Sequence, residues 1–350
     1  MKYRHVHHAG NFADVHKHVT LLALLAALKR KEKGFLYLET HAGRGAYDLA
    51  GPSGESATGI GRLERKSPAD DARSEDAEEL RNYAERVALL RRELGAPRLY
   101  PGSPLLAASE LRPQDRAVFI ERIPAEARAL QRALSGQAQG RARPPLVAGS
   151  RAKTTLFDRD GAGPGRVRRM RRTGGQGWTP RAGPVGSGTC AEQGLRSAMP
   201  DPALHITVEP GDGFERLRAW LPPHERRGLT FIDPPYEESR QDFERARHAA
   251  AEALRRFHTG VVAIWYPIKD ERDTAAWQAA LAAELDCPLL AAELSLYPRD
   301  SRVALNGSGM LILNPPYQLA ERMEIWLPQL HARLDLGHGG GASVRLLKSA

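Results

Sequence analysis

Asp233-Pro234-Pro235-Tyr236 is the stretch whose residue types most narrowly imply a chemistry. It follows the apolar run Leu229-Thr230-Phe231-Ile232, which reads as a strand. Two consecutive prolines fix an extended, rigid backbone. The turn therefore holds a carboxylate, a backbone carbonyl and an aromatic ring in one geometry. An exocyclic amine on a nucleobase is a poor nucleophile, because its lone pair is delocalised into the ring. A carboxylate and a carbonyl that accept its two hydrogens favour a pyramidal nitrogen. A neighbouring tyrosine ring can stack on the base and aim it. Asn314-Pro315-Pro316-Tyr317 fits a looser version of the same pattern. It follows the last predicted strand rather than the fourth, and reads as an edge-strand exit into a final helix. The first copy is the better candidate if its strand lies beside the first strand of the sheet.

Other predicted strands also end in unusual residues. His41-Ala42-Gly43-Arg44-Gly45 follows the strand Phe35–Glu39, and its two glycines let backbone approach a ligand closely. It lacks a full G-x-G-x-x-G, so alone it is a weak signal. Glu121 ends the strand Ala117–Glu121, where an acid suits a ribose diol. Asp212-Gly213 either binds an adenine edge or caps the helix that starts at Phe214. The first 18 residues hold five of the twelve histidines, two of which, His16 and His18, flank Lys17. A metal site there lacks a carboxylate or cysteine at ordinary spacing apart from Asp14, and no metal is expected. Arg4, His5 and Lys17 suit phosphate and base contacts instead.

These residues need elements to position them. Helical patterns at 14–31, 74–94, 124–134, 240–257 and 271–285 alternate with strand patterns. The strands fall at 35–39, 117–121, 205–208, 229–232, 260–266, 290–297 and 309–313. This alternation predicts an open α/β, Rossmann-like sheet of seven strands, with the last two an antiparallel pair at one edge. Such a sheet binds ligands beyond the carboxyl ends of its strands, where the unusual loops lie. Residues 48–98 read as an inserted helical subdomain, with the main domain formed by 1–47 and 99–335. Residues 336–350 read as a C-terminal tail.

Charge is concentrated rather than spread. The chain of 350 residues carries 51 Lys and Arg against 42 Asp and Glu, a net +9. Such an excess suggests a polyanionic partner. Residues 141–200 hold twelve of the basic groups and only three acids, so this segment accounts for the whole excess. It also holds 11 of the 33 glycines and shows no periodicity. Residues 139–202 therefore read as a disordered basic insertion, foreign to the fold. An arginine-rich RNA-binding role for it weighs less than that of a loop without selected function. Its Cys190 and the distant Cys287 form neither a zinc pattern nor a disulfide framework. No apolar run is long enough to span a membrane, and a cytoplasmic protein is expected.

Several stretches, taken in order, resemble the bacterial RlmJ family. They are 3–18 (Tyr-Arg-His-x-x-His-Ala-Gly-Asn-x-Ala-Asp-Val-x-Lys-His), 35–45, Tyr100–Pro104, Gly211–Phe214 and Ile232–Tyr236. Trp265-Tyr266-Pro267 and Ser308-Gly309-Met310 extend the likeness, which covers 1–138 and 203–335. The resemblance implies an S-adenosylmethionine-dependent methyltransferase that modifies adenine N6 in 23S ribosomal RNA; a monomer is expected. It implies cofactor contacts by His18, His41, Ser103, Glu121, Asp212 and Gly213. It implies Asp233 as acceptor of the N6 hydrogens, with Pro234 and Tyr236 completing the turn. Tyr3, His5 and Lys17 are implied to face the RNA. The catalytic turn alone leaves open DNA adenine or an RNA guanine amine as substrate. A catalytically dead RNA-binding protein is the reading from a different class. The insertion is the departure from the family pattern, and it puts Asp212 most in doubt.

Overall fold

The computed structural model describes residues 9–49, 54–65, 76–136, 204–237, 239–298 and 305–349, with Met199, Ser301 and Val303. Tyr3, Arg4 and His5 lie outside the described residues, as does the 139–202 insertion apart from Met199.

The first half of the chain forms α1 (Phe12–Lys29), β1 (Leu36–Glu39), β2 (Ala46–Asp48), α2 (Ile60–Leu63), α3 (Glu78–Glu93) and β3 (Leu99–Pro101). It continues with α4 (Ser103–Glu110), β4 (Arg116–Glu121) and α5 (Pro124–Leu134). The second half forms β5 (His205–Pro210), α6 (Gly213–Trp220), β6 (Gly228–Ile232), α7 (Ser239–Arg256) and β7 (Val261–Ile268). It ends with α8 (Glu271–Glu284), β8 (Leu289–Ser295), β9 (Gly307–Leu313), α9 (Leu319–Leu334) and β10 (Gly341–Lys348). The first helix starts two residues before the expected Asp14, because Asn11 caps it by accepting a hydrogen bond from the Asp14 N–H at 3.0 Å.

Eight strands build one sheet in the order β10-β8-β9-β7-β6-β1-β4-β5. The five strands from β7 to β5 run parallel, whereas β9, β8 and β10 pair antiparallel. Seven strands were expected, and the eighth is β10, within the presumed tail. It pairs with β8 from Gly341↔Ser295 to Lys348↔Leu289, so β8 and β9 form an antiparallel pair but not the edge. The glycine run 339–341 and the half-exposed residues after it hide this strand from a hydrophobic pattern.

Strand β1 lies between β4 and β6. The chain leaves β1 towards β4 and β5, then returns to build β6 and β7 on the other side. The order reverses between β1 and β6, which is where such a sheet opens a ligand crevice. Side chains alternate across the strands. Tyr37, Phe231, Ala263 and Ile312 face the core under α1, α3, α4 and α9. Leu38, Ile232, Ile264 and Leu311 face the core under α6, α7 and α8. By the same alternation Glu39, Asp233, Trp265 and Ser308 belong to the α1 face. No described helix is long and apolar enough to cross a membrane.

Candidate active site

Helix α1 is buried all round, including Asp14, His16, Lys17 and His18 near its start. Polar groups in such a place must be paired. The Lys17 ammonium donates to Asp233 Oδ2 at 2.7 Å and lies 2.8 Å from Asp14 Oδ1. The side chains of Lys17 and Asp233 are only 4% and 11% exposed. Burial alone lowers the pKa of a lysine, but the two carboxylates outweigh it here and hold Lys17 above its ordinary value. Lys17 is thus a buried counter-ion of the Asp233 turn, not the phosphate contact expected from the sequence. The reason is that two carboxylates capture its ammonium beneath the surface.

Below this pair, β1 ends in Glu39, a fully buried carboxyl. Ser103, the first residue of α4, donates its hydroxyl to Glu39 Oε1 at 2.5 Å, and the Tyr37 hydroxyl donates to Oε2 at 2.9 Å. Burial, only partly offset by these two hydrogen bonds, pushes the Glu39 pKa up to about 8, and nearby Asp233 adds to the rise. Ser103 therefore reaches the site through Glu39. His18 stacks on Tyr100 and shares a 2.9 Å hydrogen bond with its hydroxyl, which in turn meets the Tyr83 hydroxyl at 3.1 Å. The neighbouring His16 bonds Ser308 Oγ at 2.9 Å, and burial lowers its pKa to about 3.

The glycine loop forms the other wall. Gly43 adopts φ +63 and donates its N–H to Glu121 Oε2 at 2.8 Å, while Glu121 Oε1 accepts from the Ile123 N–H at 2.7 Å. Glu121 is thereby fixed at the end of β4, and burial raises its pKa. Asp212 caps α6 by accepting from the Phe214 N–H at 2.9 Å, and its other oxygen pairs with Arg245 at 2.7 Å. Burial opposes ionisation of Asp212, but Arg245 and the capped N–H groups overcome it and lower its pKa. Gly213 touches β1 so closely that a Cβ would sit 1.8 Å from the Thr40 carbonyl oxygen. His41 lies edge-on to Phe214 with ring centroids 4.6 Å apart. Burial brings its pKa down to about 4 against the pull of Asp212, so it is neutral at pH 7.

Strand β5 forms, so the helix-cap reading of Asp212 holds alongside any ligand role. Tyr236 departs from expectation. Its ring is 2% exposed and packs on Phe243 and Trp265, and its hydroxyl donates to the Trp265 carbonyl at 2.7 Å. Buried among aromatic rings and anchored by that bond, it presents no free face for a base. Asp14, Glu39 and Trp265 were not singled out from the sequence as site residues. Glu39 carried one signal, a charge that ends an otherwise apolar run. Among the described residues, no group of three or more His, Cys, Asp or Glu is arranged to hold a metal ion.

The cradle suits a small cation attached to a nucleoside. Glu39 is a buried carboxyl whose contacts are hydroxyls. Glu121 stands at a strand end with lone pairs left for a diol. At Gly213 only a bare backbone fits. S-adenosylmethionine combines a sulfonium, an ammonium, a ribose and an adenine, so these residues fit it.

A family model described as ribosomal RNA large subunit methyltransferase D, RlmJ, matches residues 32–145 and 193–347. The gap in that match falls inside the basic segment. A ribosomal RNA large subunit methyltransferase J of Escherichia coli (strain K12) is 33% identical over 348 residues, covering 98% of each chain. Its namesake in Haemophilus influenzae is also 33% identical, over 94% of this chain and 92% of that one. A crystal structure of protein LPL1258 from Legionella pneumophila superposes with a TM-score of 0.70 at 27% identity, covering 98% of this chain and 99% of that one. With the site at the switch in strand order and the matches spanning nearly the whole chain, the protein belongs to the RlmJ family of ribosomal RNA large subunit methyltransferases.

Proposed function

We propose that this chain transfers a methyl group from S-adenosylmethionine to N6 of an adenine in 23S ribosomal RNA. The observation that carries this reading is the placement of Asp233. It leaves β6 directly beside β1, faces the crevice, and already holds a nitrogen, Lys17 Nζ, at 2.7 Å. A nitrogen donor is what a target amine would present in that place.

When bound, S-adenosylmethionine supplies the electrophilic methyl group. The protein supplies position and proton acceptance. Asp233 and the carbonyl of Pro234 accept the two N6 hydrogens and fix the amine. The nitrogen becomes acidic only as it gains positive charge, so a carboxylate is a sufficient acceptor. Proximity and a water-poor site account for most of the acceleration. Tyr236 contributes by pinning the turn to β7. Glu121 serves the ribose, Asp212 and Gly213 the adenine side, and His18, His41 and Ser103 complete the cofactor wall. Lys17 must give way before an amine reaches Asp233, so the resting site is self-covered. Tyr3 and His5 are assigned to the RNA. We place the enzyme in the cytoplasm as a monomer.

The test is labelled methyl transfer to unmodified 23S RNA, 16S RNA and DNA, followed by nucleoside analysis. Label in N6-methyladenosine from 23S RNA alone is the expected result. Label in DNA, or in a guanine, would overturn the substrate assignment.

A further inference from the structure

A cavity of about 200 Å³ lies away from the Asp233 turn, between α8 and the edge of the sheet formed by β8 and β10. The strand register explains its position. Ile268, Gly307, Ser295 and Gly341 stand side by side across β7, β9, β8 and β10. Two glycines and a serine leave the sheet nearly bare in this row, and a Cβ on Gly341 would meet nothing within 4 Å. Two residues deeper, the row is Tyr266, Gly309, Glu293 and Ser343. A Cβ on Gly309 would sit 2.0 Å from Tyr266 Cζ, so the bare backbone lets the Tyr266 ring lie across it. The Tyr266 hydroxyl thereby reaches Glu293 Oε1 at 2.9 Å.

The floor of the cavity is a fixed hydrogen-bonding surface. Glu293 and Gln278 are 8% and 3% exposed. Gln278 donates to Glu293 Oε1 at 2.8 Å, and Arg345 Nη2 donates to Glu293 Oε2 at 2.9 Å and to Gln278 Oε1 at 3.2 Å. Glu293 Oε2 keeps a lone pair, and the guanidinium of Arg345 keeps further donors. The Ser343 hydroxyl is buried without a hydrogen-bond partner among the described residues, and it borders the cavity. A buried hydroxyl left in this way is costly, so a ligand that pairs with it gains. At the rim, Tyr297 stacks on His338 with ring centroids 4.8 Å apart.

The lining has two acids, Glu271 and Glu293, against one base, Arg345. That balance disfavours a phosphate. It suits a flat, neutral ligand with donors and acceptors along its edges. Guanine is such a ligand. Its O6 and N7 accept from an arginine fork, while its N1–H and N2–H groups donate to a carboxylate. A two-ring base also fills more of the space than a pyrimidine. The cavity opens where β7 ends at Ile268, and the Asp233 turn leaves the same end of the neighbouring strand β6. Two strand spacings separate β7 from β8, about 10 Å. Nucleotides close together in one RNA strand can therefore occupy both places.

We infer that this cavity binds an unpaired guanine of the RNA substrate, close in sequence to the target adenine. The inference rests on the proposed methyl transfer to RNA. It gives β10 a role in recognition through Gly341, Ser343 and Arg345, on a surface fixed before the RNA arrives.

Wild type, Gly341→Val and Ser343→Ala decide it in two measurements on the full chain. The first is binding of guanosine, adenosine, cytidine and uridine 5′-monophosphates by saturation-transfer NMR, with S-adenosylhomocysteine saturating. Wild type should bind the guanine nucleotide most tightly. Gly341→Val fills the cavity without removing a side-chain hydrogen bond, and should abolish that binding. No guanine preference in wild type overturns the inference, and so does equal binding by Gly341→Val. The wild-type comparison stands even if the valine variant does not fold. The second measurement is steady-state methyl transfer to a 23S RNA transcript. Gly341→Val should raise KM for the RNA about tenfold, the worth of one well-placed base contact, with kcat unchanged. Ser343→Ala loses one hydrogen bond and should raise KM about threefold. Unchanged KM in both variants, or a loss confined to kcat, overturns the inference. A wild type inactive on every RNA defeats the proposed function itself, whereas the nucleotide preference tests the cavity without turnover.

Discussion

Asp233 leaves β6, which runs parallel to β1, and Asn314 leaves β9, which runs antiparallel to β7. Both begin a Pro-Pro-Tyr turn. The difference in strand direction sends the first to the ligand crevice and the second to the opposite end of the sheet. There Asn314 Nδ2 donates to the carbonyls of His258 and Gly260, just before β7 begins, at 2.7 and 2.9 Å. The tyrosines diverge as well. Tyr236 is 2% exposed and Tyr317 is 81% exposed. Each turn has one residue of positive φ, Tyr236 at 49° and Asn314 at 51°. Asparagine tolerates that region, whereas a tyrosine there is strained and must be held. Here a hydrogen bond to Trp265 and two aromatic neighbours hold it. The motif alone does not locate the chemistry; the direction of the strand before it does.

The strongest way to break this comparison is to remove the two leading side chains in turn. Asp233→Ala should lower methyl transfer by about 10²–10⁴-fold, the usual worth of a positioned proton acceptor. Cofactor affinity and the far-ultraviolet circular dichroism spectrum should stay as in wild type. Asn314→Ala should leave turnover untouched. Near-normal turnover in Asp233→Ala would remove the carboxylate from the mechanism and erase the distinction between the turns.

The next test concerns the cations near each turn. Lys17 is sealed between Asp14 and Asp233, while Arg30 reaches the Tyr317 carbonyl at 3.2 Å from the surface. Lys17→Met leaves two buried carboxylates without their counter-charge, which costs about 3–5 kcal/mol. Arg30→Met removes an exposed contact and should change stability by no more than about 0.5 kcal/mol. Urea unfolding measures both. Similar losses in the two variants would mean that the Lys17 cluster is far wetter than its burial implies.

The asymmetry also explains what could be read from sequence. Strands such as β4 and β9 have apolar centres and are buried along nearly their whole length, so they announce themselves. Strand β10 is half-exposed and follows glycines, and β2 and β3 have only three residues each, too few for a pattern. Asp233, Glu121 and Asp212 were legible because each stands where a buried strand ends or a helix begins. Lys17 was misplaced because its burial depends on a carboxylate 216 residues away. Ser103 and Glu39, 64 residues apart, likewise meet only in the fold, as do Tyr236 and its aromatic partners on α7 and β7. Local chemistry marks a residue as a candidate; only tertiary contacts say which way it points.

Glu39 gives the crevice end a pH dependence of its own. Its folded pKa of about 8 lies above the ordinary glutamate range, so the folded state keeps a proton that the unfolded chain has already lost. Stability from this group is therefore complete in acid and falls as pH rises from the ordinary range through about 8. Glu39→Gln cannot ionise and should flatten that part of the profile. Unfolding at pH 5 and pH 9 should show the two proteins close together in acid. The variant should be more stable in base, by on the order of a few kcal/mol. Parallel profiles would show that Glu39 is ionised throughout and compensated by a cation.

A smaller effect than at Lys17 or Glu39 is expected at the turn without chemistry. In Asn314→Ala two side-chain hydrogen bonds are lost and a Cβ-bearing residue without a polar side chain is left at φ 51°. Only one bond goes to a part-buried acceptor, so the hydrogen-bond loss is about 1 kcal/mol, and the left-handed backbone adds about 1 kcal/mol. Asn314→Gly removes the same bonds but tolerates the backbone, so it should fall between wild type and Asn314→Ala. That order, read from urea midpoints with kcat and KM unchanged, separates a structural turn from a catalytic one. A loss of turnover in Asn314→Gly larger than its loss of stability explains would show that the far end of the sheet reaches the site. The strand-direction argument would then be wrong.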